Sequence, residues 1–401
     1  MKPVVLIAFK FPPYAGVGGF RWSKLCKYLA LQNHKIYVVT VRWKQLGPNS
    51  LLDDVSHSNI EIHRIPSNYP HNLKHRVFKN AILAQVRKRF LDFLDRYLFF
   101  DDYAQQWGMH LIPICRGLMR RKGVYLIIAT GHPFQSMRWA GELKKADPSV
   151  KVILDFRDPW IHPFKKIYNE GHRKKIESWA KFSLECANHA VFVTKSLPEY
   201  VLGGVERPYS IITNGHDIEA CGGERNKIDQ WIHAGNLTLG RQAMARCFLD
   251  AVRSSPCALH GSVVKLYGSK PAFVFAEYGD LVEKGIVRYM GVATQERVHE
   301  ELRKSKVALH FGSGELPYAL STKIFEYSAA GVPTLSVSGG GEVDTLIKEN
   351  KWGISVRPNV EEVKRAMEEL AVPNEGIERG TVSQYHYKNL AHQYSQLING
   401  I

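Results

Sequence analysis

Paired cysteines are missing from this chain. Its six cysteines (Cys26, Cys115, Cys186, Cys221, Cys247 and Cys257) show no Cys-x-x-Cys spacing and are few for 401 residues. That argues against a disulfide framework and against a zinc site, and fits a reducing compartment. Long hydrophobic runs are missing too. Even the segment around Phe90 to Phe100 is broken by Asp92, Asp95 and Arg96, so no run approaches the roughly 18 apolar residues that cross a bilayer. The stretch Val4 to Phe9 is too short for a signal-peptide core. It ends at Lys10 and runs into prolines and glycines rather than a small-residue cleavage site, so it is expected to be a first buried strand. There is no internal repeat and no low-complexity tract. What remains is a chain with 45% hydrophobic residues, longer than one core usually supports, so two globular domains are expected.

Acidic residues are scarce in one half only. The chain carries 54 Lys and Arg against 38 Asp and Glu, a formal net charge of +16, and residues 1–210 hold 33 of the former and 16 of the latter. The first half is therefore +17 and the second −1. Such asymmetry is expected of a domain that faces a polyanion: nucleic acid, anionic lipid or a phosphorylated acceptor. A merely soluble basic surface is the alternative.

Short β-branched apolar runs recur with helical stretches between them: Val4–Phe9, Lys35–Val41, Leu126–Thr130, Lys151–Phe156 and Ala190–Thr194, then Val263–Tyr267, Val287–Met290, Val307–Phe311, Pro333–Val337 and Gly353–Val356. Nearly all-apolar strands of this kind belong to parallel sheets covered on both faces. The fold class expected is α/β, with two doubly wound, Rossmann-like domains facing each other across a cleft. The boundaries read as 1–210, 211–378 and a terminal helix at 379–401 that packs back on the first domain. The hinge is expected near Gly203-Gly204 and Asn214 to Asn226.

In open parallel sheets ligands lie beyond the carboxyl ends of the strands, so the loops there carry the chemistry. After the first strand comes Phe11-Pro12-Pro13-Tyr14-Ala15-Gly16-Val17-Gly18-Gly19-Phe20-Arg21. Gly18 and Gly19 let a backbone approach phosphate at a helix start. Cations in a first turn oppose the helix dipole, so Arg21 and Lys24 suggest a bound anion. A tight turn alone would also want glycine. The Gly-x-Gly-Gly spacing is not a dinucleotide fingerprint, and no acidic residue follows the second strand. Another strand ends in Asp155-Phe156-Arg157-Asp158-Pro159-Trp160. There Asp158 can accept a sugar hydroxyl and Arg157 can meet phosphate, unless the pair only caps the strand. His132, after Thr130-Gly131, lines an acceptor pocket or is an ordinary turn residue.

The most informative stretch of the second half is Gly314-Glu315-Leu316-Pro317-Tyr318-Ala319-Leu320-Ser321-Thr322-Lys323-Ile324-Phe325-Glu326, which runs on to Ala330-Gly331-Val332-Pro333. Ser321 is expected to cap a helix whose free N–H groups, from Thr322 on, form an anion site beside Lys323. Glu326 lies about a turn further on, at about 1.5 Å per residue, within reach of the ribose of a nucleotide whose diphosphate sits at the helix start. The alternative is a plain amphipathic helix with Glu326 in water.

These segments, together with Asn214-Gly215-His216-Asp217 and Gly235-Asn236-Leu237, resemble the GT-B glycosyltransferases of glycosyltransferase family 4 over nearly the whole chain. The resemblance implies a retaining, metal-independent transfer from a nucleotide-diphosphate sugar, with no permanently bound cofactor. It implies that the second domain holds the donor and the first the acceptor, a lipid-linked or surface glycan of the cell envelope. No Asp-x-Asp pair occurs in the sequence. On this resemblance Asp158 is a catalytic group, joined by Arg157, which stands where many relatives carry a histidine, and Gly18, Gly19, Asn236, Arg241, Glu315, Ser321, Thr322, Lys323 and Glu326 hold the donor. Arg21 and His132 are carried over for the acceptor. The sequence departs from the family pattern at Tyr318, where relatives carry the first of two glutamates, with Glu315 a substitute. It departs again at Asn236 and Arg241, where they carry an Arg and a Lys. A nucleotide-sugar epimerase of the same fold, or a non-catalytic sugar-nucleotide-binding subunit, stays open.

Between residues 73 and 98, Phe78, Ile82, Val86, Phe90, Leu94 and Tyr97 recur at helical spacing among Lys74, Arg76, Lys79, Arg87, Lys88 and Arg89. A basic amphipathic helix of this kind lies on an anionic membrane or packs on the core with a solvated basic face. With the +17 half around it, a peripheral position on the cytoplasmic face of the plasma membrane is expected. Nucleic acid is not, because the basic residues lie within a Rossmann-like half and lack the interleaved aromatics of a strand-binding surface.

Overall fold

The structure, a computed structural model, describes residues 2–14, 16–43, 50–70, 81–100, 102–161, 170–219, 228–237, 239–313, 316–372 and 382–401. The chain forms two compact units, Met1–Thr213 with Leu390–Ile401, and Asn214–Asn389.

The first unit is built on β1 (Val4–Ile7), α1 (Val17–Leu31), β2 (Ile36–Val41), β3 (Ile60–Ile65), α2 (Ala81–Tyr97), α3 (Gly108–Lys122), β4 (Leu126–Thr130), α4 (Gln135–Ala146), β5 (Lys151–Phe156), α5 (Glu170–Cys186), β6 (His189–Phe192), α6 (Leu197–Val201) and β7 (Tyr209–Ile211). Its seven strands run in the order β3-β2-β1-β4-β5-β6-β7 and every pairing is parallel. All residues of β1, β2 and β4 are buried, as a central parallel strand covered on both faces requires. The order in which strands are added to the sheet reverses between β1 and β4, which makes the loops after these two strands the expected ligand edge.

The second unit contains β8 (Ile228–Ala234), α7 (Leu239–Ser254), β9 (Val263–Tyr267), α8 (Ala272–Glu277), α9 (Gly279–Glu283), β10 (Val287–Gly291), α10 (Gln295–Lys304), β11 (Ser305–Phe311), α11 (Lys323–Ala329), β12 (Thr334–Val337), α12 (Glu342–Glu349), β13 (Gly353–Val356) and α13 (Val360–Ala371). Its sheet order, β10-β9-β8-β11-β12-β13, is again all parallel. The period-two alternation of strands sorts neighbours to opposite faces. Trp231, Val307 and Leu309 pack under α7 and α13, while Ile232 and Ala308 pack with Tyr327 and Leu302 on the other side. Each such side chain stabilises the unit by roughly 1.5–3 kcal/mol.

The last helix, α14 (Tyr387–Gly400), contributes Leu390 onward to the first unit. Its Tyr394 is fully buried and donates to the Asp155 carboxylate. No helix among the described residues is long and apolar enough to cross a membrane.

Candidate functional site

In the second unit, the strands β8, β11 and β12 stop beside the start of α7, α11 and α12. A pocket of about 120 Å³ opens there, lined by Arg241, His310, Ser313, Leu320, Ser321 and Ser338 among others. Its volume suits a phosphate or two rather than a whole nucleotide sugar. Arg241 lies in the first turn of α7, and Lys323 is the first residue of α11. The Lys323 amine rests against Gly235, whose φ is +145°. A β-carbon at Gly235 would fall 1.6 Å from that nitrogen, so a side chain there would drive the amine from its seat.

Among the described residues neither Lys323 nor Arg241 has an ion pair or a hydrogen bond. Burial, then the neighbouring Arg241 guanidinium, pushes the Lys323 amine down to about 8, with Glu326 offsetting part of the shift. Two histidines complete the surroundings. Burial first, then the nearby Lys323 charge, lowers both His233 and His310 to about 3, so both are neutral. His233 Nδ1 must donate to the Leu309 carbonyl at 2.9 Å, which leaves Nε2 as a buried acceptor without a partner among the described residues. His310 Nδ1 lies 3.0 Å from the Ser336 hydroxyl. Two uncompensated cations flanked by neutral rings form a site with a deficit of negative charge, which a bound anion would fill.

Glu326, one turn along α11, is neither in water nor in the core. Its side chain is 18% exposed, accepts from Gln295 Nε2 at 3.3 Å and lies 3.8 Å from His299 Nε2, both residues of α10. It is therefore a carboxylate held in place beside the cations.

Several expectations are corrected. The cap of α11 is Thr322, in helical conformation and with no capping bond, not Ser321. Ser321 lines the pocket instead. With only seven residues in α11, the anion site rests on side-chain charge more than on a helix dipole. Asn236 is exposed, and its Oδ1 accepts from the Ser269 amide at 2.9 Å, so it braces a turn rather than clamping an anion. Glu315 lies outside the described residues.

In the first unit, the cations that pointed to an anion at the start of α1 are already neutralised. Arg21 is 1% exposed. Its Nη2 meets Asp155 Oδ1 at 3.0 Å and also donates to the Ile212 carbonyl. Lys24 pairs with Asp54 at 2.7 Å. Arg21 therefore anchors the sheet rather than an acceptor. Asp155 also accepts from Trp22 Nε1 at 2.9 Å and Thr130 Oγ1 at 3.0 Å. Burial would raise its carboxyl, but Arg21 with the Tyr394 and Trp22 donors holds it below the usual carboxylate range. Gly18 and Gly19 serve the protein's own packing. A β-carbon on Gly19 would meet the Tyr14 carbonyl at 2.3 Å, and one on Gly18 would meet Lys10 Cδ at 2.9 Å.

Arg157 donates through Nε and Nη2 to the Gly131 carbonyl at 3.0 and 2.7 Å, next to His132, and Asp158 beside it is exposed. The His132 ring lies 5.8 Å from Tyr103 and 5.6 Å from Phe134. Sequence reasoning passed over His233, His310, Gln295 and His299. A histidine inside the otherwise apolar run Trp231-Ile232-His233-Ala234 was the available signal.

No protein-family model matches the sequence, and no curated protein is similar to it at the sequence level. Solved structures are similar over the whole chain. The apo form of WaaB, a lipopolysaccharide outer core galactosyltransferase, shares 12% identity at a TM-score of 0.61, over 100% of this chain and 99% of that one. A trehalose-6-phosphate protein from E. coli, solved with UDP-2-fluoro glucose bound, shares 13% identity at a TM-score of 0.65 over the same fractions. TarM shares 10% at a TM-score of 0.62, again over the same fractions. At such identities the likeness is one of fold, and the fold is that of the GT-B glycosyltransferases.

Proposed function

We propose that this protein is a glycosyltransferase that takes a sugar from a nucleotide-diphosphate donor held by the second unit and passes it to a lipid-linked or surface-glycan acceptor held by the first. The observation that carries the reading is the pair of uncompensated cations, Lys323 and Arg241, at the ends of a parallel sheet. Charge develops on the departing diphosphate as the glycosidic bond breaks, and preplaced cations stabilise that charge most where water is scarce. In this reading they need no metal, the Ser321 and Thr322 hydroxyls donate to phosphate oxygens, and Glu326 accepts the ribose hydroxyls. The exposed Asp158, with Arg157, orients the sugar, whose anomeric carbon bonds to the acceptor oxygen with retention as the nucleoside diphosphate leaves. His132 contributes to the acceptor side.

The test is a screen of nucleotide sugars for release of nucleoside diphosphate in the presence of membrane glycolipid extract. Lys323→Ala and Arg241→Ala should each weaken nucleotide binding, and unchanged affinity in both would remove the donor site. Release of an epimerised free sugar without acceptor would favour an epimerase, and tight binding without turnover a partner subunit.

Attachment to an anionic membrane belongs to the same proposal. The expected helix is described from Ala81, so residues 73–80 lie outside the described part. At 3.6 residues per turn Ile82, Leu83, Val86, Phe90, Phe93 and Tyr97 fall within about 100° of one another. Each is 50% to 72% exposed, while Leu91 on the opposite side is buried. By the same geometry Arg89 and Arg96 flank one edge of this stripe and Arg87 the other. An apolar stripe turned outward between arginines supports a position on the inner face of the plasma membrane, where each basic residue adds about 1 kcal/mol. Phe90→Asp should abolish flotation with anionic vesicles; retained flotation would count against it.

A further inference from the structure

The switch point of the first sheet carries a feature that the donor chemistry leaves unused. Tyr14 follows β1, Trp43 follows β2, His132 and Phe134 follow β4, and Trp160 follows β5. Tyr103 enters from the segment before α3. These rings form two linked sets. Tyr14 and Trp43 lie 5.0 Å apart, and the Trp43 indole N–H donates to the Phe9 carbonyl at 2.9 Å. Tyr103, His132, Phe134 and Trp160 follow one another at 5.8, 5.6 and 5.6 Å, and the last two are stacked at 18°. Burial, with a smaller contribution from Tyr103, raises the Tyr14 phenol above its ordinary value, and the Arg157 guanidinium opposes the shift.

All but Phe134 are partly exposed, and all are held. Gly16 leaves room for the Tyr14 ring, since a β-carbon there would lie 2.5 Å from Cε1. The buried Asp102 fixes the loop that carries Phe134, accepting from the Phe134 and Gln135 amides at 2.6 and 3.0 Å. Tyr69 packs 4.7 Å from the outer Tyr103 ring. This differs from the outward stripe of α2, whose apolar side chains are half or more exposed. Projecting aliphatic groups suit a fluid bilayer. Half-buried rings packed against one another at tilted or stacked angles, interleaved with phenol, imidazole and guanidinium groups, suit a rigid ligand with apolar faces and a polar rim.

We infer that this aromatic wall at the β1–β4 switch point is a saccharide subsite, on which the ring C–H faces of a preformed glycan stack while its hydroxyls meet Tyr14, Tyr103, His132 and Arg157. The inference rests on the proposed transfer reaction and deepens it: the part of the acceptor recognised by the first unit is sugar, not a lipid chain or a peptide. A pyranose presents axial hydrogens on one face and hydroxyls around its edge, and this pattern matches rings bordered by donors. Several neighbouring rings offer contacts to more than one sugar unit, so an oligosaccharide should bind better than a monosaccharide.

The test applies the full-length protein to an array of bacterial and plant oligosaccharides that also carries lipid and peptide spots, with nucleoside diphosphate binding measured in parallel by calorimetry. Oligosaccharide binding that falls at least tenfold in both Trp160→Ala and Tyr103→Ala, with nucleotide affinity and far-ultraviolet circular dichroism unchanged, is expected. Trp160→Phe, which keeps a ring, should restore most of the binding. Absence of saccharide binding by a protein that does bind nucleotide, binding undiminished in both variants, or binding confined to lipid or peptide spots would overturn the saccharide subsite alone. Absence of nucleotide binding would instead strike the transfer reading.

Discussion

Each unit places a cation near the carboxyl end of a parallel sheet, fully buried in the first and half-buried in the second, and the two are treated in opposite ways. In the first, Arg21 meets the Asp155 carboxylate, which also accepts from Trp22, Thr130 and Tyr394. In the second, Lys323 has Arg241 for a neighbour and two neutral histidines around it, with only Glu326 offsetting its charge. A buried ion pair completed by hydrogen bonds is a structural device, and removing one partner strands the other. A cation without such a partner costs stability, and the proposed donor site would give that cost a purpose. The two units share a fold and divide these tasks between them.

The largest effect should come from breaking the closed network. Asp155→Ala leaves Arg21 buried without a counter-charge and should destabilise the protein by about 3–5 kcal/mol, read by chemical denaturation. A loss below about 1 kcal/mol would mean that the pair does not anchor the first unit. Lys323→Met sharpens the contrast, because removing an uncompensated cation should leave the unliganded protein as stable as before or more so. Affinity for nucleoside diphosphate should nevertheless fall roughly 10- to 150-fold, the span of about 1.5–3 kcal/mol for a charged hydrogen bond. Gln295→Ala, which frees the Glu326 carboxylate from one of its two neighbours, should cost only a few-fold in nucleotide affinity, about 0.5–1.5 kcal/mol. It should have no effect on binding of inorganic pyrophosphate, which lacks a ribose.

Much of the architecture was legible in the sequence because parallel strands buried on both faces write themselves as apolar runs. All ten expected runs coincide with strands, from Val4–Ile7 to Gly353–Val356. The strands that an apolar-run reading passes over fail for physical reasons. Ile60–Ile65 and Tyr209–Ile211 are edge strands with half-exposed faces, and their sequences alternate or are too short. Ile228–Ala234 is central, yet it includes Asp229, Gln230 and His233. Gln230 is satisfied by the Glu301 carbonyl and the Ser305 hydroxyl, a compensation made by distant residues that no local pattern displays.

The site was legible in part. Lys323, Arg241 and Glu326 stand out by residue type and spacing, and the structure gathers the first two beside one pocket. Arg21 misled for a general reason. A cation in a first helical turn implies a nearby negative charge, but the rule does not say whether a ligand or the protein's own Asp155 supplies it. Ser321 misled because capping propensity assumes a helix that starts directly after the capping residue, and α11 begins one residue later than that, at Lys323. The glycine loop was ambiguous in the same way. Its missing side chains make room for Tyr14 and Lys10, and only the packing distinguishes that from room for phosphate.

The most direct test of the claim that Lys323 awaits an anion is its proton balance. Burial and the Arg241 guanidinium hold its amine down to about 8, whereas an unfolded lysine keeps its ordinary value of 10.5. The folded chain therefore sheds this proton first, and its stability should rise with pH between about 8 and 10.5 as the cost of the buried charge disappears. A bound diphosphate favours the protonated amine, so binding above pH 8 must take up a proton, and affinity should fall roughly tenfold per pH unit there. Titrating UDP, GDP, ADP and dTDP calorimetrically from pH 7 to 9.5, in buffers of different ionisation enthalpy, measures both. The account predicts that at least one of them binds with proton uptake that vanishes in Lys323→Met. Binding by none of the four, or pH-independent binding that Lys323→Met leaves intact, would contradict it.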